Sequence, residues 1–390
     1  MSSGSNGTRS GPDLTGSDLA RCVGDEGEFF AEYWARRPLV RRARSAEAFV
    51  DLLTLEDVDE LVTSAGLRTP AFRLVKGGAP LPPSAYTTTA QISGVPITGL
   101  ADPRKVLAAI DDGATLVLQG MHRYRQSLRE LCRNLELALG CPCQVNAYFT
   151  PPGSRGLALH SDSHDVFVLQ CFGTKRWEIH APDEVWDLVL EPGDSLYMPK
   201  GTPHAATAQD ALSGHLTIGL LTEPVRDVLQ AVVRTTLAGP AFDERLPAGW
   251  QHDPAALSQQ LANHLTELAA QLGKVDTAEV AARRADRFRS SRPSVLAGGL
   301  LDRTRLASLQ PETLIRRRSA AQLATRVDGD QLVLLLGDRE VRMPGWLEAT
   351  VALVSDGATH AVQDIPGLDA QGRTVLVRRL VREGLLEVLA

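Results

Sequence analysis

Apolar positions along this 390-residue chain change their rhythm twice. In the first third they recur every three or four residues. "TLEDVDELVTSAG" has helical spacing and an acidic first turn, and "SLRELCRNLELALG" repeats the pattern over a longer run. "EFFAEYWARRPLVRR" reads as a helix packing Phe29, Phe30 and Trp34 on a core, followed by a strand. From residue 145 the runs shorten: "VNAYFT", "DVFVLQCFG", "KRWEIH", "LVLEPGDSLYMPK" and "HLTIGLLT", separated by turn residues such as "PPGS" and "EPGD". That rhythm predicts an antiparallel barrel or jelly roll. After about residue 225 helices return, notably "DPAALSQQLANHLTELAAQLG". The last stretch predicts a strand pair in "QLVLLLGDREVRMP", then a helix feeding a short strand in "GRTVLVRRLVREGLLEVLA". Residues 1–18 are rich in Gly and Ser and are expected to be disordered.

Composition narrows the function classes. Hydrophobic residues make up 43% of the chain, enough for a sizeable core. The net charge of −6 argues against a broad electrostatic grip on nucleic acid, and direct DNA binding is not expected. No apolar stretch approaches the roughly 20 residues of a membrane span, and no signal peptide is expected from the pattern of the first residues. The five cysteines, at 22, 132, 141, 143 and 171, fit no zinc module, so free thiols and a cytoplasmic setting are expected.

One short segment concentrates the chemistry. "LALHSDSHDVFVLQCFGTKRW" places His160 and Asp162 two apart beside an apolar run. In a strand that spacing puts both side chains on one face. Further on, "YMPKGTPHAA" places His204 after a Pro/Gly turn. Two histidines and a carboxylate on one face of a small barrel form a facial triad, which suits Fe(II) and leaves positions open for a chelating acid and O2. Nearby His164 reads as a rim histidine and Asp165 as a turn acceptor. Lys175 opens the next strand, although only five lysines occur in the whole chain. A compact ammonium there suits one carboxylate of a small diacid; a surface hairpin lysine is the plainer alternative.

These segments, with "FFAEYWARRPLVRR", "GATLVLQGMHRYRQSL" and "SGHLTIG", resemble the JmjC-type cupin oxygenases, the group that contains ribosomal oxygenases. The resemblance spans roughly residues 28–220. It implies a mainly β catalytic core, a double-stranded β-helix or cupin jelly roll, that uses Fe(II), 2-oxoglutarate and O2. Residue by residue, His160, Asp162 and His204 fall on the iron ligands, and Lys175 on the group that binds the far carboxylate of 2-oxoglutarate. Asn146 and Tyr148 match residues that orient the cosubstrate, while His215 and Thr217 fall on the last barrel strand and are expected in the same pocket, with a core-packing Thr217 as the equal alternative. Behind the core the resemblance extends to a helical dimerisation region and a C-terminal winged-helix-like domain. The expected domains are therefore a catalytic domain at 19–224, a helical domain at 225–300 and a winged-helix-like domain at 301–390. Apolar stripes in "LANHLTELAAQLG" support a homodimer.

Two departures from the family pattern bear on the substrate. The stretch "APDEVWDLV" is short, where relatives often carry an insertion, and Ser161 replaces a bulky aromatic between the first two ligands. The leading expectation is hydroxylation of a protein side chain, with a ribosomal protein as substrate. Acids at the mouth, Asp183, Glu184 and Asp187, would attract such a basic partner. The alternatives are a hydroxylase of a peptide or amino acid in specialised metabolism, and a non-catalytic metal-binding cupin scaffold.

Overall fold

The computed structural model describes residues 17–154 and 158–389. The expected N-terminal disordered segment lies outside these, except for its last two residues. Those two are ordered: Ser17 caps the helix Asp18–Val23, its side chain accepting from the Ala20 N–H. The chain divides into two compact units, Met1–Thr222 and Glu223–Ala390.

In the first unit the predicted helices form where their spacing placed them. Leu55–Thr63 starts in a reciprocal capping box between Thr54 and Asp57. Gln126–Leu139 buries Leu128, Leu131, Cys132 and Leu135 and ends at Gly140, whose φ of 69° is the left-handed conformation that closes a helix. The strands are β1 (Leu39–Arg41), β2 (Phe72–Lys76), β3 (Ala79–Pro80), β4 (Thr87–Ile92) and β5 (Val95–Ala101). They continue with β6 (Thr115–Leu118), β7 (Cys143–Thr150), β8 (Asp165–Phe172) and β9 (Lys175–His180). The last are β10 (Val185–Leu190), β11 (Ser195–Met198), β12 (His204–Ala208) and β13 (Ser213–Leu220).

Two sheets face each other. The larger runs β1-β11-β8-β13-β7-β6-β2-β3 and the smaller β10-β9-β12, while β4 and β5 pair as a separate hairpin. Side chains alternate across each strand, and this alternation builds both core and site. On β7, Val145, Ala147 and Phe149 join the main core with the helices; on β13, Leu216, Ile218 and Leu220 do the same. Their neighbours Asn146, Tyr148, His215 and Thr217 line the cleft on the other face. A second core between the sheets holds Val166, Val168, Trp177, Ile179, Leu190, Leu196 and Met198. Gly173 turns β8 into β9 at φ 58°, where an added Cβ would strike the Leu212 carbonyl. Only glycine fits, and the turn aims Lys175 inward.

The stretch "APDEVWDLV" is a strand rather than an open acidic loop from Val185 onward, because Val185–Leu190 pairs with all of β9. Asp187 is paired with Glu178 in that ladder and reaches diagonally to Arg176 in a bidentate ion pair.

In the second unit, Leu314–Arg317 lies between Thr359–Ala361 and Leu386–Val388, and Ala324–Asp328, Gln331–Leu335 and Glu340–Pro344 form a second small sheet. A core including Ile315, Leu332, Val351, Val377 and Leu386 holds these sheets to the C-terminal helices. The buried Arg318–Asp302 pair is anchored further by the Val388 N–H, which donates to Asp302. By contrast, the helices Val225–Leu237, Pro254–Leu272 and Thr277–Arg289 bury no side chain fully.

Candidate metal and anion site

His160 and Asp162 do not sit on a regular strand, as their alternation suggested. Residues 161–164 are irregular, with a bend at 163–164 ahead of β8, and carry Ser and Asp side chains that favour turns. His160 instead makes an isolated bridge to His204, the first residue of β12. The His160 N–H donates to the His204 carbonyl at 3.1 Å, and the His204 N–H returns the bond at 2.7 Å. Asp162 is tethered by its own carbonyl, which accepts from the Gly201 N–H at 3.0 Å.

These contacts bring the three side chains together. One ligand atom from each of His160, Asp162 and His204 lies within 4.8 Å of the others, the only such cluster among the described residues. His204 Nε2 is 3.7 Å from the Asp162 carboxylate. His160 Nδ1 is 2.7 Å from the Ala158 carbonyl, and His204 Nδ1 is 2.9 Å from the Thr202 carbonyl. A carbonyl only accepts, so each Nδ1 carries its proton and each Nε2 presents a lone pair to the cluster. Burial lowers the pKa of His204, which favours the neutral, ligating form.

The other end of the cleft is drier. Lys175 is 2% exposed, and burial lowers its pKa to about 7. Its Nζ donates to Thr150 Oγ1 at 3.0 Å and lies 3.4 Å from His215 Nδ1. No carboxylate pairs with it among the described residues, and burial is the sole cause of its shift. Burial also holds His215 well below its usual pKa, helped by Lys175 and then His204. Its ring stacks on Tyr148 at 4.9 Å and 6°. Asn146 accepts from the Gly120 N–H at 3.0 Å, and Thr217 lines the same cleft.

Several residues in and behind the cleft wall escaped sequence reasoning. Thr150, fully buried, accepts from both Lys175 and Thr115 and so helps fix the ammonium in place. Trp177 and Arg73 each carry a buried N–H, Nε1 and Nε respectively, with no hydrogen-bond partner. Thr150 and Trp177 stand two residues after Tyr148 and Lys175, so strand alternation could have found them. His164, read as a rim histidine, also lines the cleft. Asp165 is indeed an acceptor, but a buried one, taking bonds from the Tyr197 hydroxyl at 2.5 Å and the Lys200 N–H at 2.9 Å. Arg176, next to Lys175, points outward to Asp187.

The cleft and its open mouth span about 910 Å³, and Arg73, Lys175 and Trp177 line it with N–H donors. Buried donors without partners are costly, so the chemistry that fits is a metal at the triad and an oxygen-rich anion reaching Lys175. A 2-oxo diacid has that composition.

Comparisons with known proteins agree with this geometry. Residues 118–228 match the JmjC domain family. The chain is 30% identical over 217 residues to the bifunctional lysine-specific demethylase and histidyl-hydroxylase NO66 of Drosophila persimilis, a match covering 49% of this chain and 29% of that protein. It is 26% identical over 212 residues to ribosomal oxygenase 1 of Danio rerio, covering 49% of this chain and 37% of that one. The matched region thus spans well under half the length of these relatives. Among solved structures, Escherichia coli ribosomal oxygenase YcfD superposes with a TM-score of 0.56 at 16% identity, covering 94% of this chain and 99% of that one. A further structure of that protein, with cobalt and 2-oxoglutarate, gives 0.54 at 18% identity over 93% and 98% of the chains. At such identities the likeness is one of fold.

Proposed function

The chain is a JmjC-domain protein, and from that premise we propose that it is an Fe(II)- and 2-oxoglutarate-dependent oxygenase that hydroxylates a protein side chain, with a ribosomal protein as the leading substrate. The observation that carries the cosubstrate is Lys175: an ammonium buried without a counter-ion needs a carboxylate brought from outside. His160, Asp162 and His204 would hold the metal on one side, leaving its remaining positions open. With iron bound, 2-oxoglutarate and O2 supply the oxidising power to hydroxylate an unactivated C–H bond. The chain's own residues do the rest. Lys175, steadied by Thr150, holds the far carboxylate, Asn146, Tyr148, His215 and Thr217 shape the cosubstrate's wall, and Val166, Val168 and Met198 keep water out. The relatives' names, histidyl-hydroxylase and ribosomal oxygenase, support the substrate class.

The test is to incubate the protein, Fe(II) and 2-oxoglutarate with ribosomal proteins from the same cell. One oxygen gained by a single peptide, with matching succinate formation, is the expected result. Turnover of a free amino acid or short peptide with no modified ribosomal protein would instead favour specialised metabolism.

The proposal includes the rest of the chain. Val225 is 73% exposed and Leu265 63%, so the helices of 225–300 offer apolar surface for a homodimer. The small sheets and helices of 301–390 are proposed to be its winged-helix-like domain. Light scattering at micromolar concentration should report twice the 42.0 kDa chain mass; a monomer would remove the dimer from the proposal. No helix among the described residues is long and apolar enough to cross a membrane.

A further inference from the structure

Arg73 has no place in the chemistry described so far. It sits on β2 opposite Val117 of β6; Val117 sits opposite Tyr148 of β7, and Tyr148 opposite His215 of β13. Residues directly opposite on neighbouring strands project to the same face. That rung therefore turns Arg73 toward the cleft, where it shares the wall with the triad and Lys175. Its guanidinium lies close enough to the Tyr148 hydroxyl to perturb it, as does the Asp162 carboxylate. Its Nε is buried without a partner, and it forms no ion pair among the described residues.

A count of charges gives it a role. A 2-oxo diacid brings two carboxylates: one would go to the metal held by the triad, the other to Lys175. Both are then matched, and a second cation still faces the cleft. A planar guanidinium favours a carboxylate taken bidentately. We infer that Arg73 is a specificity-determining residue that binds a carboxylate of the substrate and holds the oxidised group beside the metal. This rests on the oxygenase reading above. The carboxylate could come from an Asp or Glu side chain in the target segment or from the free terminus of a small substrate; the chemistry at Arg73 is the same.

The experiment uses the full chain loaded with Zn(II), which is redox-silent, and saturated with 2-oxoglutarate. Three probes carry a 13C-labelled carbonyl carbon: the blocked peptide acetyl-Gly-Asp-Gly-amide, its Asn counterpart, and N-acetylglycine. Line broadening reports binding. At least one acidic probe should bind, and the Asn peptide should not. Arg73→Met should weaken the acidic probe about tenfold or more, and Arg73→Lys should restore part of the loss. Over the same variants, calorimetry should find 2-oxoglutarate affinity within about twofold of the wild type, whereas Lys175→Met should lose it. Preference for the Asp peptide points to a protein target, and preference for N-acetylglycine to a small one. Three results would overturn the inference: no acidic probe binds, the Asn peptide binds as well as the Asp peptide, or Arg73→Met loses 2-oxoglutarate. Arg73→Lys keeps the test decisive should the Met variant not fold. Failure of the wild type to take up 2-oxoglutarate would strike the oxygenase reading separately, and the probes would still decide Arg73.

Discussion

The two ends of the cleft are built differently. The metal end hangs on a bend and one bridge: His160 and Asp162 are partly exposed, and only His204 is buried on a strand. The lysine end is strand-borne throughout, with Lys175, Thr150 and His215 all at 4% exposure or less. A metal ligand needs a lone pair and a direction, which backbone carbonyls behind each imidazole supply even near water. A lone cation gains from dryness, because its attraction for an incoming carboxylate strengthens as water leaves. On the proposed reading, the open end would admit metal and substrate, and the dry end would select the anion.

The largest effect that could break this contrast is at the metal. His160→Ala, Asp162→Ala or His204→Ala should each lower Fe(II) affinity by more than about a hundredfold under anaerobic titration. Unchanged binding in all three would remove the triad. Next comes the dry end. Lys175→Ala removes a charge-assisted contact worth roughly 1.5–3 kcal/mol, so 2-oxoglutarate affinity should fall about tenfold or more while Fe(II) binding survives. Joint loss of both in calorimetry would mean that the two ends are one cooperative site.

A subtler effect follows from the lysine's pKa of about 7. Only the protonated amine pairs with a carboxylate. Above pH 7 the free protein must take up a proton to bind, and 2-oxoglutarate affinity should fall by up to about tenfold per pH unit. Calorimetry in buffers of different ionisation heat would count that proton. A flat profile between pH 7 and 9 would show that the lysine is already charged.

The last effect is on stability. The folded-state pKa of Lys175 lies below its ordinary 10.5, so between about 7 and 10.5 the unfolded chain binds more protons. The lysine's penalty is complete below pH 7 and fades as pH rises to 10.5. Lys175→Met should raise the urea midpoint at pH 7, and its advantage should vanish by about pH 10.5. An equal gain at both pH values would assign the effect to packing instead.

The sequence revealed these regions unequally. Strand rhythm from residue 145 marked the sheets, and the helices ending at Thr63, Leu139 and Leu272 were legible from spacing and caps. His160, Asp162 and His204 were picked out by residue type and distance along the chain, but the local geometry assumed for them was a strand. "HSDSH" has no β-branched residue and bends instead. Asn146, Tyr148, His215 and Thr217 came from family likeness, and alternation along β7 and β13 accounts for their shared face. Arg73 was invisible because its relation to Tyr148 depends on strand register across β2, β6 and β7, which no periodicity encodes. Asp187 misled for a similar reason, since its charge is matched by Arg176 across a ladder.

The paired backbone bonds between His160 and His204 reach beyond the metal's geometry. They fix the two backbones against each other, and the carbonyls behind each Nδ1 orient the rings, so part of the ordering cost is met during folding rather than at metal capture. Each histidine also shields the other's amide hydrogen. In metal-free protein both amides should therefore trade slowly with solvent deuterium while those of the intervening Ser161 and Ser163 trade fast. A metal that departed would leave behind a jaw already set for its return.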